Sequence, residues 1–240
     1  MTKEDITNRY MESTKKSREL YDRAVKVMPG GNTRGVVFFR PYPAYAKRAK
    51  GSRIWDLDGN ERIDYCFNYG PLILGHNHPV VIRAAKEQLE CGTVLGAPSE
   101  KEIELAEKIT KLVPSAEKVR FTASGTEAVI NAFRVARAYT GKDKIAKFEG
   151  GFHGTSDAAW ISVHPPKDLA GHVSSPNAVP DSDGIPEGVV KDMVIMQFND
   201  TQATEAVIKR YKDELAAIII EPIQIAGGGF PAKEEFLKAL

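Results

Sequence analysis

Apolar runs alternate with helical stretches over the second half of the chain. Short strands are predicted at residues 119–122, 144–148, 193–198 and 216–220. Helices are predicted at residues 128–139 and at residues 204–212. Apolar strands separated by helices are typical of a mostly parallel sheet that is covered on both faces. The pattern therefore predicts an α/β fold for this part of the chain.

The first 66 residues have a different pattern. Residues 13–27 have the spacing of an amphipathic helix, and residues 44–49, 53–57 and 62–65 favour short strands. Asp58-Gly59 lies between the second and third of these strands and is a strong hairpin signal. The N-terminal region is therefore predicted to be a helix followed by a small antiparallel sheet.

The stretch Ser124-Gly125-Thr126-Glu127 joins a predicted strand to a predicted helix. The first backbone N–H groups of such a helix have no partner within it, and with the helix dipole they favour an anion, most often a phosphate. Ser124 and Thr126 add hydroxyl groups, and Gly125 lets the backbone approach a ligand closely. An ordinary helix N-terminus capped by Thr126 is an equally good interpretation of this stretch alone.

Ligands of parallel sheets bind at the carboxyl ends of the strands, so the residues that follow each strand are candidates. Phe152 and His153 follow the strand at 144–148, and Glu221 follows the strand at 216–220. Glu221 could pair with a charge in a site or extend into solvent. The segment 164–189 is rich in Pro, Gly and Ser, and its start near Phe152 and His153 favours a lid over a disordered loop.

Arg34 lies in a glycine-rich turn ahead of an apolar run. A lone arginine is usually a solvated surface charge, but these neighbours also suit an arginine that binds a carboxylate. His76 and His78 form a His-x-His pair without a third ligand at a suitable spacing, so no metal site is predicted. We expect these histidines to hold their loop by hydrogen bonds.

Composition narrows the possible partners. The 240 residues are 42% hydrophobic and 27% charged, as in a globular protein, and the net charge of +1 gives no reason to expect nucleic acid or an anionic membrane. No apolar run is long enough to cross a bilayer. The two cysteines form neither a disulfide framework nor a zinc pattern, which favours a cytoplasmic location. Neither a dinucleotide fingerprint nor a P-loop is present.

Several motifs, in this order and spacing, resemble the class III (fold type I) pyridoxal-phosphate aminotransferases, most closely the glutamate-1-semialdehyde aminomutase branch. The resemblance runs from about residue 17 to residue 240. It is carried by MPGG (28–31), RIWDLDGN (53–60), GPLILGH (70–76), SGTEA (124–128), KFEGGFHG (147–154) and Glu221-Pro222. It implies that residues 1–66 belong to a small domain and that residues 67–240 are an incomplete large domain that binds pyridoxal 5'-phosphate.

The resemblance also implies roles for the cofactor-binding residues. Ser124, Gly125 and Thr126 would bind the cofactor phosphate, as the helix N-terminus suggests independently. Phe152 would stack on the pyridine ring, where the family usually has Tyr, and His153 would lie beside the ring. Glu221 would contact a substrate-side arginine or the surroundings of the cofactor.

Two further residues are implied to bind the substrate, a small amino or oxo acid. Arg34 matches the position that holds a substrate carboxylate, and Tyr69 matches a pocket position where aminomutases often have Trp. Ala123 replaces a common Asn, and an Asn often found after Glu221-Pro222 is missing. The segment 32–43 looks more like the β-amino-acid transaminases, so the substrate stays open.

The resemblance implies that two residues follow residue 240: the lysine that binds the cofactor covalently and the Asp that pairs with the pyridine nitrogen. No catalytic residue is therefore assigned within the chain. The chain is therefore interpreted as an N-terminal portion of a homodimeric enzyme. Two hypotheses remain. The whole protein transfers an amino group, as an aminomutase or as a transaminase with a 2-oxo acid acceptor, or the 240-residue polypeptide is a non-catalytic phosphate-binding fragment.

Overall fold

A computed structural model describes residues 2–240. Its helices are α1 (Lys3–Ser13), α2 (Lys15–Ala24), α3 (Pro79–Cys91), α4 (Glu100–Leu112), α5 (Gly125–Thr140), α6 (Glu187–Lys191), α7 (Thr201–Tyr211) and α8 (Glu234–Ala239). Its strands are β1 (Ala46–Lys50), β2 (Arg53–Asp56), β3 (Glu61–Ile63), β4 (Lys144–Phe148), β5 (Gly171–His172), β6 (Ser175–Pro176), β7 (Met193–Met196), β8 (Leu215–Ile219), β9 (Ile223–Gln224) and β10 (Phe230–Pro231). The chain packs as two units, one up to Glu100 and one from Lys101 to Leu240. The boundary at residue 66 stays a prediction.

The first unit contains the predicted antiparallel sheet. Strands β1, β2 and β3 pair in that order, each antiparallel to the next. The buried carboxylate of Asp56 fixes the turn between β2 and β3, because it accepts hydrogen bonds from the backbone N–H groups of Asp58 and Asn60 and from Arg62. Gly59 adopts φ +92° in this turn, a conformation that suits glycine. The hairpin prediction at Asp58-Gly59 is confirmed.

The N-terminal region contains two helices, of which one was predicted. The helix expected at residues 13–27 is found as α2, and α1, which lies ahead of it, was not predicted. Thr14 separates them, and its φ of −131° and ψ of 43° are not helical. The start of α1 is fixed by a capping box, in which Thr2 and Asp5 exchange side-chain to backbone hydrogen bonds.

The second unit is built on a parallel sheet. β4 lies between β7 and β8 and is parallel to both, which confirms the α/β prediction. Every residue of β7 is buried, whereas β8 is only partly buried along its length. Parallel strands of this kind are continuous apolar runs because both faces of the sheet are covered.

Each face of this sheet has its own core. Ala146 and Phe148 of β4 point to one face and pack with Phe236 of α8 and partly buried residues of α7. Ile145 points to the other face and packs with Phe133 of α5. The alternation of side chains along β4 thus places helices on both sides of one strand. This arrangement brings the carboxyl ends of β4 and β8 together with the N-terminus of α5.

The predicted strand at 119–122 is not formed. In the described residues these four positions are irregular backbone, and Phe121 is 41% exposed. A β-favouring sequence forms a strand only when a neighbouring strand takes up its hydrogen bonds, and here no strand pairs with it. The turn into α5 therefore follows an irregular segment.

The segment 164–189 is attached to the second unit at several points. The Asp181 carboxylate accepts hydrogen bonds of 2.8 Å from the N–H groups of Val163 and His164. Val179 is buried, and its carbonyl accepts a 2.7 Å bond from Ser162 N. Movement of the intervening residues as a lid stays a prediction. No helix in the part of the chain that the structure describes is long and apolar enough to span a bilayer.

Candidate functional site

The N-terminus of α5 is capped by Ser124, not by Thr126. Ser124 is in an extended conformation, and its Oγ accepts a 3.2 Å hydrogen bond from the backbone N–H of Glu127. The Glu127 carboxylate in turn accepts a 2.9 Å bond from Ala123 N. Serine is among the preferred N-cap residues because its short side chain reaches this N–H group. The interpretation of Thr126 as the cap is therefore wrong.

Two backbone donors at this helix end have no hydrogen-bond partner in the part of the chain that the structure describes. The first intrahelical bond joins Ala128 N to Ser124 O, and no hydrogen bond within residues 2–240 uses the N–H groups of Gly125 and Thr126. A Cβ placed on Gly125 would meet no atom within 4 Å. Open space therefore lies beside Gly125 at the positive end of the helix dipole, an arrangement that suits a phosphate.

The loop after β4 lies directly on the first turn of α5. Thr126 Oγ1 accepts a 3.2 Å hydrogen bond from Thr155 N. Gly154 has φ +98°, and a Cβ at this position would lie 2.6 Å from Thr126 Oγ1 and 2.8 Å from Thr126 Cα. Only glycine allows this approach, because real Cβ atoms do not come so close to other heavy atoms. Thr126 thus joins the predicted phosphate turn to the segment that carries Phe152 and His153.

Glu221 joins the end of β8 to the same loop. Its Oε2 accepts a 2.9 Å hydrogen bond from Phe152 N. The carboxylate is therefore engaged with protein backbone instead of extending freely into solvent. The Phe152 ring packs edge-to-face against Trp160, with centroids 5.7 Å apart, and Phe152 remains 42% exposed. An aromatic ring held in this way offers apolar surface to a planar ligand.

His153 is buried beside this ring and has an unsatisfied nitrogen. It is 8% exposed, and its Nε2 has no hydrogen-bond partner among the described residues. Burial, with a smaller contribution from the charge on Lys147, lowers the pKa of His153 to about 4. The imidazole is therefore neutral at physiological pH, with a polar atom that a bound group could satisfy.

Lys147 is a buried charge that the sequence interpretation set aside. It lies on β4, is completely buried, and donates from Nζ to the carbonyls of Ala159 (3.1 Å) and Ile161. Burial lowers the pKa of Lys147 to about 8, although the charges of Asp181 and Glu221 act in the opposite direction. The signal was a lysine flanked by Ala146 and Phe148 inside a predicted strand, because a buried lysine must be paired. Lys147 braces the segment on which Phe152 packs.

These features fit pyridoxal phosphate. Gly125 and Thr126 would hold the phosphate through their N–H groups, and Phe152 would cover the ring. The unsatisfied Nε2 of His153 gives a place for one polar contact with a bound group. Ser124, Gly125, Thr126, Phe152, His153 and Glu221 are all brought to one edge of the second unit, as predicted, and their roles toward the cofactor stay predictions.

In the first unit, the two predicted substrate-binding residues lie together. The Arg34 guanidinium lies over the Tyr69 ring, 5.8 Å from its centroid. Arg34 Nη1 donates a 2.5 Å hydrogen bond to Oδ1 of Asn68, a residue that sequence reasoning did not select. Asn68 could have been noticed only through its left-handed backbone, which a sequence does not display. The substrate-binding roles of Arg34 and Tyr69 stay predictions.

The turn that carries Asn68 and Tyr69 is held by a buried carboxylate. Asp64 accepts hydrogen bonds from the N–H groups of Cys66 (2.8 Å) and Phe67 (3.1 Å). Nε2 of His76 lies 2.7 Å from the other Asp64 oxygen, so this histidine holds the loop, as expected. Phe67, Asn68 and Tyr69 have φ of 44°, 53° and 65°, a left-handed run that non-glycine residues rarely adopt.

Comparison with known proteins identifies the family of this chain. The class-III aminotransferase family matches residues 39–240. The glutamate-1-semialdehyde 2,1-aminomutase of Methanosphaera stadtmanae is 48% identical over 225 residues, which are 94% of this chain and 51% of that protein. An omega-transaminase from Sphaerobacter thermophilus has a TM-score of 0.86 at 45% identity, covering 92% of this chain and 50% of that one.

A second solved structure has a similar fold. A transaminase with PLP bound has a TM-score of 0.86 at 44% identity, covering 95% of this chain and 52% of that one. The chain thus spans about half the length of the relatives that it matches. The matched region includes the α5 N-terminus, the loop after β4 and Glu221. The chain belongs to the class-III aminotransferase family, whose members depend on pyridoxal phosphate.

Proposed function

We propose that the whole protein transfers an amino group with pyridoxal phosphate, as a glutamate-1-semialdehyde 2,1-aminomutase. The observation that carries this proposal is the meeting of three segments: the free N–H groups of Gly125 and Thr126, the Phe152-His153 loop, and Glu221. Relatives that are 43–48% identical and bear the aminomutase name support the reaction type.

The chain's own residues bind and orient the reacting groups. Pyridoxal phosphate, when bound, supplies the electron sink for amino transfer. Gly125 and Thr126 hold a phosphate at the helix N-terminus, where the dipole favours its charge. Phe152 covers a ring face and keeps water from it, while the Glu221 carboxylate holds the Phe152 backbone in place. Neutral His153 adds no positive charge beside the ring.

Arg34 is proposed to hold the substrate carboxylate, with Tyr69 beside it. A guanidinium can donate two parallel hydrogen bonds to a carboxylate, which fixes orientation as well as affinity. The amino group of the substrate would then be presented at a set distance from the carboxylate. Small amino or oxo acids are therefore the proposed substrate class.

The test of an aminomutase is turnover without a second substrate. Purified full-length protein, loaded with pyridoxal phosphate, is expected to isomerise glutamate-1-semialdehyde with no added 2-oxo acid. The product has the amino group on the adjacent carbon and is followed by chromatography. Activity that appears only when a 2-oxo acid is added contradicts the mutase assignment.

A class-III transaminase for a β- or other amino acid is the second candidate. The segment 32–43, which includes Arg34, looks like that of β-amino-acid transaminases, and the solved structures at 44–45% identity are transaminases. Amino transfer from a β-amino acid that depends on a 2-oxo acid acceptor would favour it.

The 240-residue polypeptide alone is proposed to bind the cofactor without catalysis. Within it no lysine has been assigned a covalent role, and the Lys147 amine is buried and donates to two carbonyls. We expect no single lysine of this polypeptide to be labelled selectively when pyridoxal phosphate is added and borohydride is used to trap adducts. A trapped adduct located on one lysine by mass spectrometry contradicts this expectation.

A cytoplasmic homodimer is proposed for the whole protein. Exposed apolar residues on α4, among them Ile103, Leu105 and Leu112, support association, because exposed apolar surface commonly marks an interface. Sedimentation of the holoenzyme is expected to give twice the monomer mass. A monomer at micromolar concentration contradicts the proposal.

A further inference from the structure

We propose that Asn68 is a positioning residue that aims the Arg34 guanidinium at a substrate carboxylate. This inference rests on the proposed carboxylate-binding role of Arg34. Asn68 Oδ1 accepts a hydrogen bond of 2.5 Å from Arg34 Nη1, and the two residues are 34 positions apart in the chain. The bond therefore ties two separate loops of the first unit together.

Arg34 needs such a partner because its side chain is long and exposed. An arginine loses up to about 2 kcal/mol of side-chain conformational freedom when it is fixed in one orientation. The N–H group of Arg34 donates to Asn32 Oδ1 at 3.0 Å, so the backbone is placed, but this bond leaves the side-chain torsions free. The hydrogen bond to Asn68 removes that freedom before a ligand arrives.

The two contacts of the guanidinium leave it able to bind an anion. Tyr69 lies against one face, with its ring centroid 5.8 Å away, and Asn68 occupies one N–H group. Among the described residues of the first unit, no carboxylate pairs with Arg34. A guanidinium has five N–H donors, so a pair of parallel donors remains for a carboxylate.

The chemistry of the asparagine side chain at position 68 also suits a residue that positions Arg34. An amide oxygen accepts a hydrogen bond without neutralising the guanidinium, whereas a carboxylate there would form an ion pair and compete with the substrate. Asparagine also tolerates the left-handed backbone, here with φ 53°, better than most residues. The turn is fixed independently by Asp64, so the Asn68 amide has a defined position.

The alternative is that Asn68 is present only because it suits a left-handed turn. Glycine adopts this backbone readily and has no acceptor. Asn68→Gly therefore keeps the turn and removes the contact with Arg34, and it separates the two explanations. Asn68→Asp keeps an acceptor and adds a negative charge.

Glutarate, a dicarboxylate without an amino group, is the probe. Its Kd is measured by calorimetry on the full-length holoenzyme, so the result does not depend on turnover. Asn68→Gly is expected to raise this Kd about fivefold to twentyfold, because the side-chain freedom of Arg34 is then lost only when glutarate binds. Asn68→Asp is expected to raise it at least as much. In an Arg34→Ala background, Asn68→Gly is expected to have no further effect.

The control is Asn77→Gly. Asn77 is also left-handed, with φ 54°, and its Nδ2 donates to Ala49 O, but it does not contact Arg34. This variant is expected to leave the Kd of glutarate within twofold. For any amine donor that is turned over, Asn68→Gly is expected to raise KM with kcat within about twofold, the signature of lost uniform binding.

Three outcomes overturn the inference. A Kd for Asn68→Gly within twofold of wild type leaves Asn68 with a turn role only. If Asn68→Gly raises the Kd of glutarate by the same factor in the Arg34→Ala background, Asn68 does not act through Arg34. An Arg34→Ala variant with unchanged Kd removes the carboxylate role on which the inference rests. If the Kd values change as expected but the protein transfers no amino group, the proposed function is refuted and the inference is supported.

Discussion

At the scale of single residues, Gly154 lies directly against Thr126 in the candidate cofactor site. The hydroxyl of Thr126 accepts a hydrogen bond from Thr155, and Gly154 lies so close that it has no room for a Cβ. Interiors packed at this density do not adjust easily to an added methyl group. The position of the Phe152-His153 loop therefore depends on residue 154 being glycine, which has no side chain.

Gly154→Ala tests this dependence. The new Cβ would meet Thr126 at 2.6 Å in a backbone with φ +98°, so we expect a loss of about 2–5 kcal/mol in the free energy of unfolding. Urea denaturation measures the loss, and weaker pyridoxal phosphate binding should accompany it.

The matched control is Gly184→Ala in an exposed turn, where a Cβ would meet no atom within 4 Å. We expect this variant to stay within about 0.5 kcal/mol of wild type. A Gly154→Ala protein as stable as Gly184→Ala would show that the loop moves aside at little cost.

At the scale of elements, α5 combines a cap with a ligand site. Ser124 accepts a hydrogen bond from the N–H group of Glu127, while the N–H groups of Gly125 and Thr126 have no partner within residues 2–240. The two interpretations that the sequence left open, a helix cap and a phosphate turn, therefore use different donors of the same turn. Capping and anion binding can be separated by changing the charge at position 124.

Ser124→Asp should separate them. Aspartate is as good an N-cap as serine and interacts favourably with the helix dipole, so the free energy of unfolding should change by less than about 0.5 kcal/mol. Its charge would repel the cofactor phosphate, and we expect the Kd of pyridoxal phosphate, measured by fluorescence titration, to rise at least about tenfold.

Ser124→Ala is the comparison, with an expected stability loss of about 1 kcal/mol because the cap is removed without adding charge. Unchanged cofactor affinity in Ser124→Asp would place the phosphate away from this helix end.

The parts of the fold set by local pattern were predictable from sequence. β8 was evident as an apolar run, β4 was evident from its apolar positions 145, 146 and 148, and the hairpin at Asp58-Gly59 was evident from its turn residues. The prediction of a strand at residues 119–122 was wrong because a strand also needs a neighbouring strand to pair with, which residue propensity does not reveal. Lys147 and Asn68 were missed because their roles come from burial and from a left-handed turn, which are properties of the folded chain.

At the scale of the whole molecule, buried ionisable groups make stability depend on pH. His153 has a pKa of about 4, below its ordinary value of 6.5. Between these values the unfolded chain binds a proton that the folded chain does not, so unfolding is favoured as the pH falls. Stability associated with His153 is therefore fully present above pH 6.5 and is lost progressively toward pH 4.

His153→Asn should reduce this dependence. For wild type, we expect His153 to contribute a loss of about 3 kcal/mol in the free energy of unfolding between pH 6.5 and 4, from the size of the pKa shift. The variant should lack that part of the slope when urea titrations are compared across this range. His164→Asn, which alters an exposed histidine, should keep the wild-type slope. Equal slopes in wild type and His153→Asn would contradict the buried neutral state.

The contact between Gly154 and Thr126 has a consequence for how such proteins diverge. A Cβ at position 154 would lie 2.8 Å from the backbone Cα of residue 126 as well as 2.6 Å from its hydroxyl, so a smaller side chain at position 126 does not make room for a larger residue at 154. Position 154 should therefore stay glycine across related genes, even where the residue at position 126 changes.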